Sequence, residues 1–183
     1  QAAEYMRNTY FTSNEKTALA ITIANREREL LKDIDYENGY SLYVGIPFCP
    51  SICLYCSFSS SPLERWRDQV DAYLDALLKE LDFIAEAMKD KVLDTIYIGG
   101  GTPTTLEPYQ IRRLLSHISE KFPVEQVKEY TVEAGRPDSI TREKLQALRE
   151  FPVTRISVNP QTMNQATLDL IGRKHTVEDT RHA

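Results

Sequence analysis

Three cysteines fall within eight positions, Cys49-Pro-Ser-Ile-Cys53-Leu-Tyr-Cys56, and they are all the cysteines of the chain. Thiolate sulfurs are soft ligands that suit zinc, copper(I) and iron–sulfur clusters. A structural zinc site takes four protein ligands, and no further Cys or His lies near enough in sequence to complete one. A [4Fe–4S] cluster also commonly uses four cysteines. With three, one iron keeps an open position, as a catalytic zinc does, and can bind a substrate directly. Three other readings stay open at this point. Cys53-x-x-Cys56 can be a redox pair, although that motif opens a helix and needs no third cysteine. A distant His or a partner chain can complete a zinc site. The cysteines can also be buried structural residues, against which Pro50 and Ser51 favour an irregular loop.

A second signal is Gly99-Gly100-Gly101-Thr102-Pro103-Thr104, which follows a run of strand character. No Lys-Ser/Thr pair follows it, so a phosphate-binding P-loop is unsupported. The run is either a bare tight turn or a place where missing side chains let a ligand approach the backbone.

The elements that must position these residues can be read from periodicity. Residues 1–40 read as a helical lead-in. There Thr12 and Glu15 form a capping-box pattern, with a helix predicted to about Leu31. From residue 41 to 183 the pattern is strand, loop and helix, repeated. The predicted strands are Leu42 to Ile46, Thr95 to Ile98, Glu129 to Glu133 and Arg155 to Val158. The clearest helix carries Trp66, Val70, Tyr73, Leu74, Leu77, Leu81, Ile84 and Met88 as one apolar stripe, a core-packing pattern. Further helices are predicted with Ile111, Leu114, Leu115 and Ile118 after Pro108, from Thr141 through Leu148, around Thr167 to Ile171, and from Thr176. Four such repeats predict an α/β fold with a parallel sheet and outer helices. By pattern alone a barrel and a doubly wound sheet fit equally well. A full eight-fold barrel needs about 250 residues, so the expectation for 183 residues is an incomplete (β/α) barrel, the core of a longer protein.

Composition narrows the function. Hydrophobic residues make up 42% and charged residues 27%, the balance of an ordinary globular chain. A net charge of −5 argues against a broad nucleic-acid-binding face, which needs clustered Lys and Arg. No apolar run approaches the ~18 residues of a membrane span, and no secretory signal pattern appears, so a cytoplasmic protein is expected.

At this cysteine spacing, with Tyr55 just before the last cysteine, the sequence resembles the radical S-adenosylmethionine (SAM) superfamily. The phrases Ser-Leu-Tyr-Val-Gly-Ile-Pro-Phe-Cys at 41–49 and Gly-Gly-Gly-Thr-Pro-Thr at 99–104 resemble the oxygen-independent coproporphyrinogen III oxidase family. Thr-Val-Glu-Ala-Gly-Arg-Pro-Asp at 131–138 and Arg-Ile-Ser-Val-Asn-Pro-Gln-Thr-Met-Asn at 155–164 resemble its HemZ-like branch. The resemblance implies a [4Fe–4S] cluster on Cys49, Cys53 and Cys56, with SAM chelating the fourth iron. It implies SAM contacts from Tyr43 at the methionine end, Tyr55 near the adenosine, and Gly100, Gly101 and Thr102 along the ligand. Glu133 would bond the ribose hydroxyls, Gln161 would add a polar contact, and Arg173 would pair with the SAM carboxylate.

The cysteine loop, the glycine run, Glu133 and the Gln161 segment each fall at the C-terminal end of a predicted strand, the face where α/β barrels place active sites. The implied reaction is oxidative decarboxylation of coproporphyrinogen III propionates to vinyl groups. A flavodoxin- or ferredoxin-like electron donor is implied as partner. Heme chaperones and heme-degrading methyltransferases share the core signature and are the alternatives. Some coproporphyrinogen oxidases carry a further cysteine two residues after the third; Phe58 stands there in this chain.

Overall fold

Side-chain burial alternates over residues 42–46 and 95–98, and this alternation sets the architecture around the cysteines. The structure, a computed structural model, describes residues 1–58 and 60–183. It comprises two compact units, Gln1–Gly39 and Tyr40–Ala183. In the first, α1 spans Ala2–Tyr10 and α2 spans Asn14–Leu31. Helix α2 opens one residue later than the Thr12–Glu15 pattern predicts. Ser13 is its N-cap, and the Ser13 hydroxyl accepts from the Lys16 amide at 3.2 Å. Lys16 has no acceptor to return the bond, so the reciprocal half of a capping box is missing. The Thr12 hydroxyl instead lies 2.9 Å from that of Thr17.

The second unit is built on a four-stranded sheet of β1 (Gly39–Ile46), β4 (Val92–Gly100), β5 (Glu129–Ala134) and β6 (Arg155–Val158), in that spatial order. β5 runs parallel to both of its neighbours, with Ile98 opposite Val132 and Glu133 opposite Ser157. A doubly wound sheet reverses direction about its first strand. Here β1 lies at an edge and each later strand of the sheet is added on the same side. This singly wound order is that of a partial barrel, and it decides between the two architectures that periodicity left open. A separate parallel pair, β2 (Phe48–Cys49) and β3 (Ser61–Pro62), closes the base of the cysteine loop.

Leu42, Val44 and Ile46 of β1, Ile96 and Ile98 of β4, and Tyr130 and Val132 of β5 are buried and form one core with the helices. Those helices are α4 (Val70–Ala87), α5 (Pro108–Lys121) and α6 (Arg142–Arg149). Because strand side chains alternate in direction, the residues next to them in sequence, Tyr43, Tyr97 and Glu133, share the opposite face. The stripe of α4 buries Val70, Leu74, Leu77 and Leu81 as predicted. Trp66 departs from it: it ends the short helix α3 (Leu63–Trp66) and is 46% exposed. A 3₁₀ turn at Arg67–Gln69 separates it from α4, and the tighter winding rotates Trp66 off the stripe. Two short helices, α7 (Gln165–Leu170) and α8 (Val177–His182), follow β6.

Leu74 is fully buried whereas Phe83, on the same helix, is 71% exposed. Leu74→Ala is expected to lower stability by about 3 kcal/mol and Phe83→Ala by less than about 0.5 kcal/mol, measured by urea denaturation.

Candidate functional site

The glycine run passes unusually close to the segment that carries the first cysteine. The Gly101 amide donates to the Ile46 carbonyl at 2.7 Å. A Cβ on Gly101 would sit 2.7 Å from the Phe48 carbonyl oxygen and 2.9 Å from the Cys49 sulfur. Gly100 has φ +107°, and a Cβ there would meet the Ile46 amide nitrogen and carbonyl oxygen, each at 3.0 Å. Positive φ and close backbone approach both demand glycine. Glycine is thus required at these two positions by the close passage of the segment that leads into the cysteine loop.

That loop leaves β2 at Cys49 and returns at β3, where the Ser61 amide donates to the Pro47 carbonyl at 2.7 Å. The three thiols are free. Burial pushes the Cys49 thiol above its ordinary pKa, with the Thr102 hydroxyl, which donates to Cys49 Sγ at 3.7 Å, opposing it. The Leu54 amide donates to the Ile171 carbonyl at 3.2 Å, tying the loop to the turn before Arg173.

Cys49, Cys53 and Cys56 line a single cavity of about 220 Å³. The walls of the same cavity include Tyr43, Tyr55, Gly100, Gly101, Thr102, Glu133, Gln161 and Arg173, so every residue singled out from sequence borders one space. Glu133 reaches it from the end of β5 and accepts a short hydrogen bond from the Tyr97 hydroxyl. That bond, reinforced by burial, pushes Tyr97 up to about 12. Tyr97 in turn stacks on Tyr43, with ring centroids 5.8 Å apart and planes 12° apart. The pair holds the carboxylate beside an aromatic wall.

Arg173 is 7% exposed. It donates through Nη1 to the Gly135 carbonyl at 3.3 Å and through Nη2 to the Tyr55 hydroxyl at 3.2 Å. Among the described residues its buried Nε has no hydrogen-bond partner, so this guanidinium has donor capacity to spare for an anionic or carbonyl ligand. Gln161 takes φ +62°, and its amide is held by the Asn159 side chain at 3.2 Å. The fully buried His175 places Nε2 3.4 Å from the Pro160 carbonyl, linking this turn to the Arg173 segment.

Four lining residues escaped the sequence reading as site residues: Gly135, Arg136, Ser157 and Asn159. Arg136 is the most consequential, being 3% exposed and within 3.8 Å of the Cys53 sulfur. An arginine that commits its charge to an Asp two residues on gives no signal above an ordinary surface pair. Phe58 also borders the cavity, 72% exposed.

The donor set fits a cluster. Three free thiols face one cavity, and Gly101 leaves beside the Cys49 sulfur the space a Cβ would fill. Among the described residues no three His, Cys, Asp or Glu side chains gather tightly enough to hold a single metal ion. Cluster cysteines each bind a different iron, and so stand farther apart than the ligands of one ion. Among the described residues no helix is long and apolar enough to cross a membrane.

Comparison with known proteins gives the family of the chain. Residues 43–183 match the Radical SAM superfamily. The chain is 40% identical, over 98% of its length, to the oxygen-independent coproporphyrinogen-III oxidase-like protein HemZ of Bacillus subtilis. It is 41% identical, over 74% of its length, to the heme chaperone HemW of Lactococcus lactis. The structure of coproporphyrinogen III oxidase (HemN), a radical SAM enzyme from Escherichia coli, superimposes with a TM-score of 0.66 at 32% identity over 76% of this chain. The chain spans 37%, 34% and 32% of those three proteins, respectively.

Gly101→Ala is expected to displace the cysteine loop while leaving the helices intact. Iron and sulfide uptake on anaerobic reconstitution should fall steeply with an unchanged far-ultraviolet spectrum; full uptake would contradict the close packing.

Proposed function

The chain belongs to the radical SAM superfamily, and from that premise we propose that its cavity holds a [4Fe–4S] cluster on Cys49, Cys53 and Cys56 with SAM beside it. We further propose that the whole protein oxidatively decarboxylates coproporphyrinogen III propionates to vinyl groups. The observation that carries the reading is the convergence of three thiols, a glycine backbone, a carboxylate and a guanidinium on one cavity from four separate segments. When bound and reduced, the cluster and SAM together supply a 5′-deoxyadenosyl radical for hydrogen abstraction.

The residues of this chain do the holding. Glu133, fixed by Tyr97, accepts from the ribose hydroxyls, because a carboxylate offers two oxygens to a diol. Arg173 donates to the SAM carboxylate while its bond to Tyr55 keeps that ring against the adenosine side. Tyr43, stacked on Tyr97, borders the methionine end. Gly100, Gly101 and Thr102 line the ligand along its length with Gln161 as a further polar contact, and the bare glycine backbone leaves its amides and carbonyls within reach. The reading places the protein in the cytoplasm, whose reducing conditions keep free thiols available for metal, and supplies its electron from a flavodoxin- or ferredoxin-like partner.

The identity to the heme chaperone HemW favours a second reading, in which the same core serves a protein that carries heme.

Full-length protein given SAM, a strong reductant, an electron acceptor and coproporphyrinogen III without oxygen is expected to form 5′-deoxyadenosine, methionine and carbon dioxide. The porphyrinogen should lose two carboxylates stepwise by mass. SAM cleavage without decarboxylation, together with tight heme binding, would replace this reading with the chaperone one; consumption of heme with methyl transfer would replace it with a heme-degrading methyltransferase. Cys49→Ala, Cys53→Ala and Cys56→Ala should each abolish cluster assembly, measured as iron and sulfide per chain. Arg173→Ala should keep the cluster but weaken SAM binding about ten- to a hundred-fold, the worth of a charge-assisted partner. Unchanged SAM affinity would remove Arg173 from the site.

A further inference from the structure

Arg136 has every donor of its guanidinium committed, and the commitments all lead to the cysteine loop or to one acid. Nε and Nη2 form a forked pair with the Asp138 carboxylate at 3.1 and 2.9 Å. Nη1 donates to the Ser51 carbonyl at 3.3 Å and to the Ser51 hydroxyl at 3.2 Å, and Nη2 also reaches that hydroxyl at 3.2 Å. Nη1 lies 3.8 Å from the Cys53 sulfur. With 3% of the residue exposed, the charge is removed from water and is little screened.

The backbone beneath it is fixed as well. The Arg136 carbonyl accepts from the Ser139 amide at 2.9 Å and from the Ser139 hydroxyl at 2.7 Å. Ser139 in turn pairs with the Thr104 hydroxyl at 2.6 Å. The guanidinium is thus held on a rigid base between the end of β5 and the loop after the glycine run.

We propose that Arg136 is a positioning residue for the cluster: it pins the cysteine loop through Ser51 and sets the reduction potential through its charge and N–H at the Cys53 sulfur. The proposal rests on the cluster reading above. Reduction adds negative charge to a cluster, and a buried cation at a ligating sulfur favours the more negative state. Hydrogen bonds to the sulfurs are a principal control of such potentials. The two functions separate by residue, since Ser51 takes part only in the pinning and Cys53 receives the charge.

The test uses the full-length protein with three variants, Arg136→Gln, Ser51→Ala and Asp138→Asn, and two measurements. Hydrogen exchange of the cluster-free protein reads the loop. Amides of residues 51–56 should exchange about tenfold faster in both Arg136→Gln and Ser51→Ala, the scale of a lost charge-assisted hydrogen bond. Redox titration of the reconstituted protein reads the potential. It should become more negative in Arg136→Gln by about tenfold in the reduction equilibrium, about 59 mV for one electron, and stay unchanged in Ser51→Ala. Asp138→Asn keeps the arginine but removes the carboxylate that offsets its charge, and should shift the potential the opposite way, to more positive than wild type.

An unchanged potential in fully loaded Arg136→Gln overturns the assignment while leaving the cluster reading intact. If Arg136→Gln fails to load, a wild-type potential in loaded Asp138→Asn overturns it equally. Wild-type protein that takes up no iron and sulfide overturns the cluster reading itself, and the redox role with it.

Discussion

The passage of Gly100 and Gly101 along the Ile46–Cys49 segment is the constraint on which the site depends. It joins the end of β4 to the end of β1 by a backbone hydrogen bond of 2.7 Å and leaves less than 3 Å for any β-carbon at Gly101. The cysteine loop is thereby seated at the C-terminal ends of the strands. Once it is there, its further ties reach the later segments: Thr102 to Cys49, Ser51 to Arg136, and Leu54 to the turn before Arg173. The site is assembled from the glycine run outward.

The sheet contributes through alternation. One set of side chains along β1, β4 and β5 is consumed in the core with the helices, so the other set is free to carry polar work. Tyr43, Tyr97 and Glu133 are successive neighbours on that other face, linked by a ring stack and a hydrogen bond. A barrel interior usually fills with packed branched apolar side chains. Here the same face is aromatic and acidic at its C-terminal end, as suits a wall for a polar ligand rather than a sealed core.

Much of this was legible in the sequence. The cysteine spacing and the glycine run carry their chemistry in residue type, and strand periodicity put them at strand ends. The architecture was legible only as far as strand–helix alternation goes; spatial strand order is a long-range fact with no local signature, and it alone separates a barrel from a doubly wound sheet. Local departures have local causes. Ser13 outcompetes Thr12 as a cap because its hydroxyl meets the Lys16 amide, and a 3₁₀ turn detaches Trp66 from a stripe that its spacing fits. Arg136 was invisible for a different reason: its importance lies in contacts to Ser51 and Cys53, 85 and 83 positions away. Gln161, with its left-handed backbone, was reachable only through family resemblance.

In the function proposed above, one cavity holds a three-thiolate cluster whose remaining iron faces SAM. Mössbauer spectroscopy of full-length protein reconstituted with ⁵⁷Fe tests this most directly, because it distinguishes irons by their ligands. The account predicts a cluster spectrum in which addition of SAM alters a single iron and leaves the thiolate-bound irons as they were. A spectrum of isolated mononuclear iron, or a cluster in which no iron responds to saturating SAM, would contradict it.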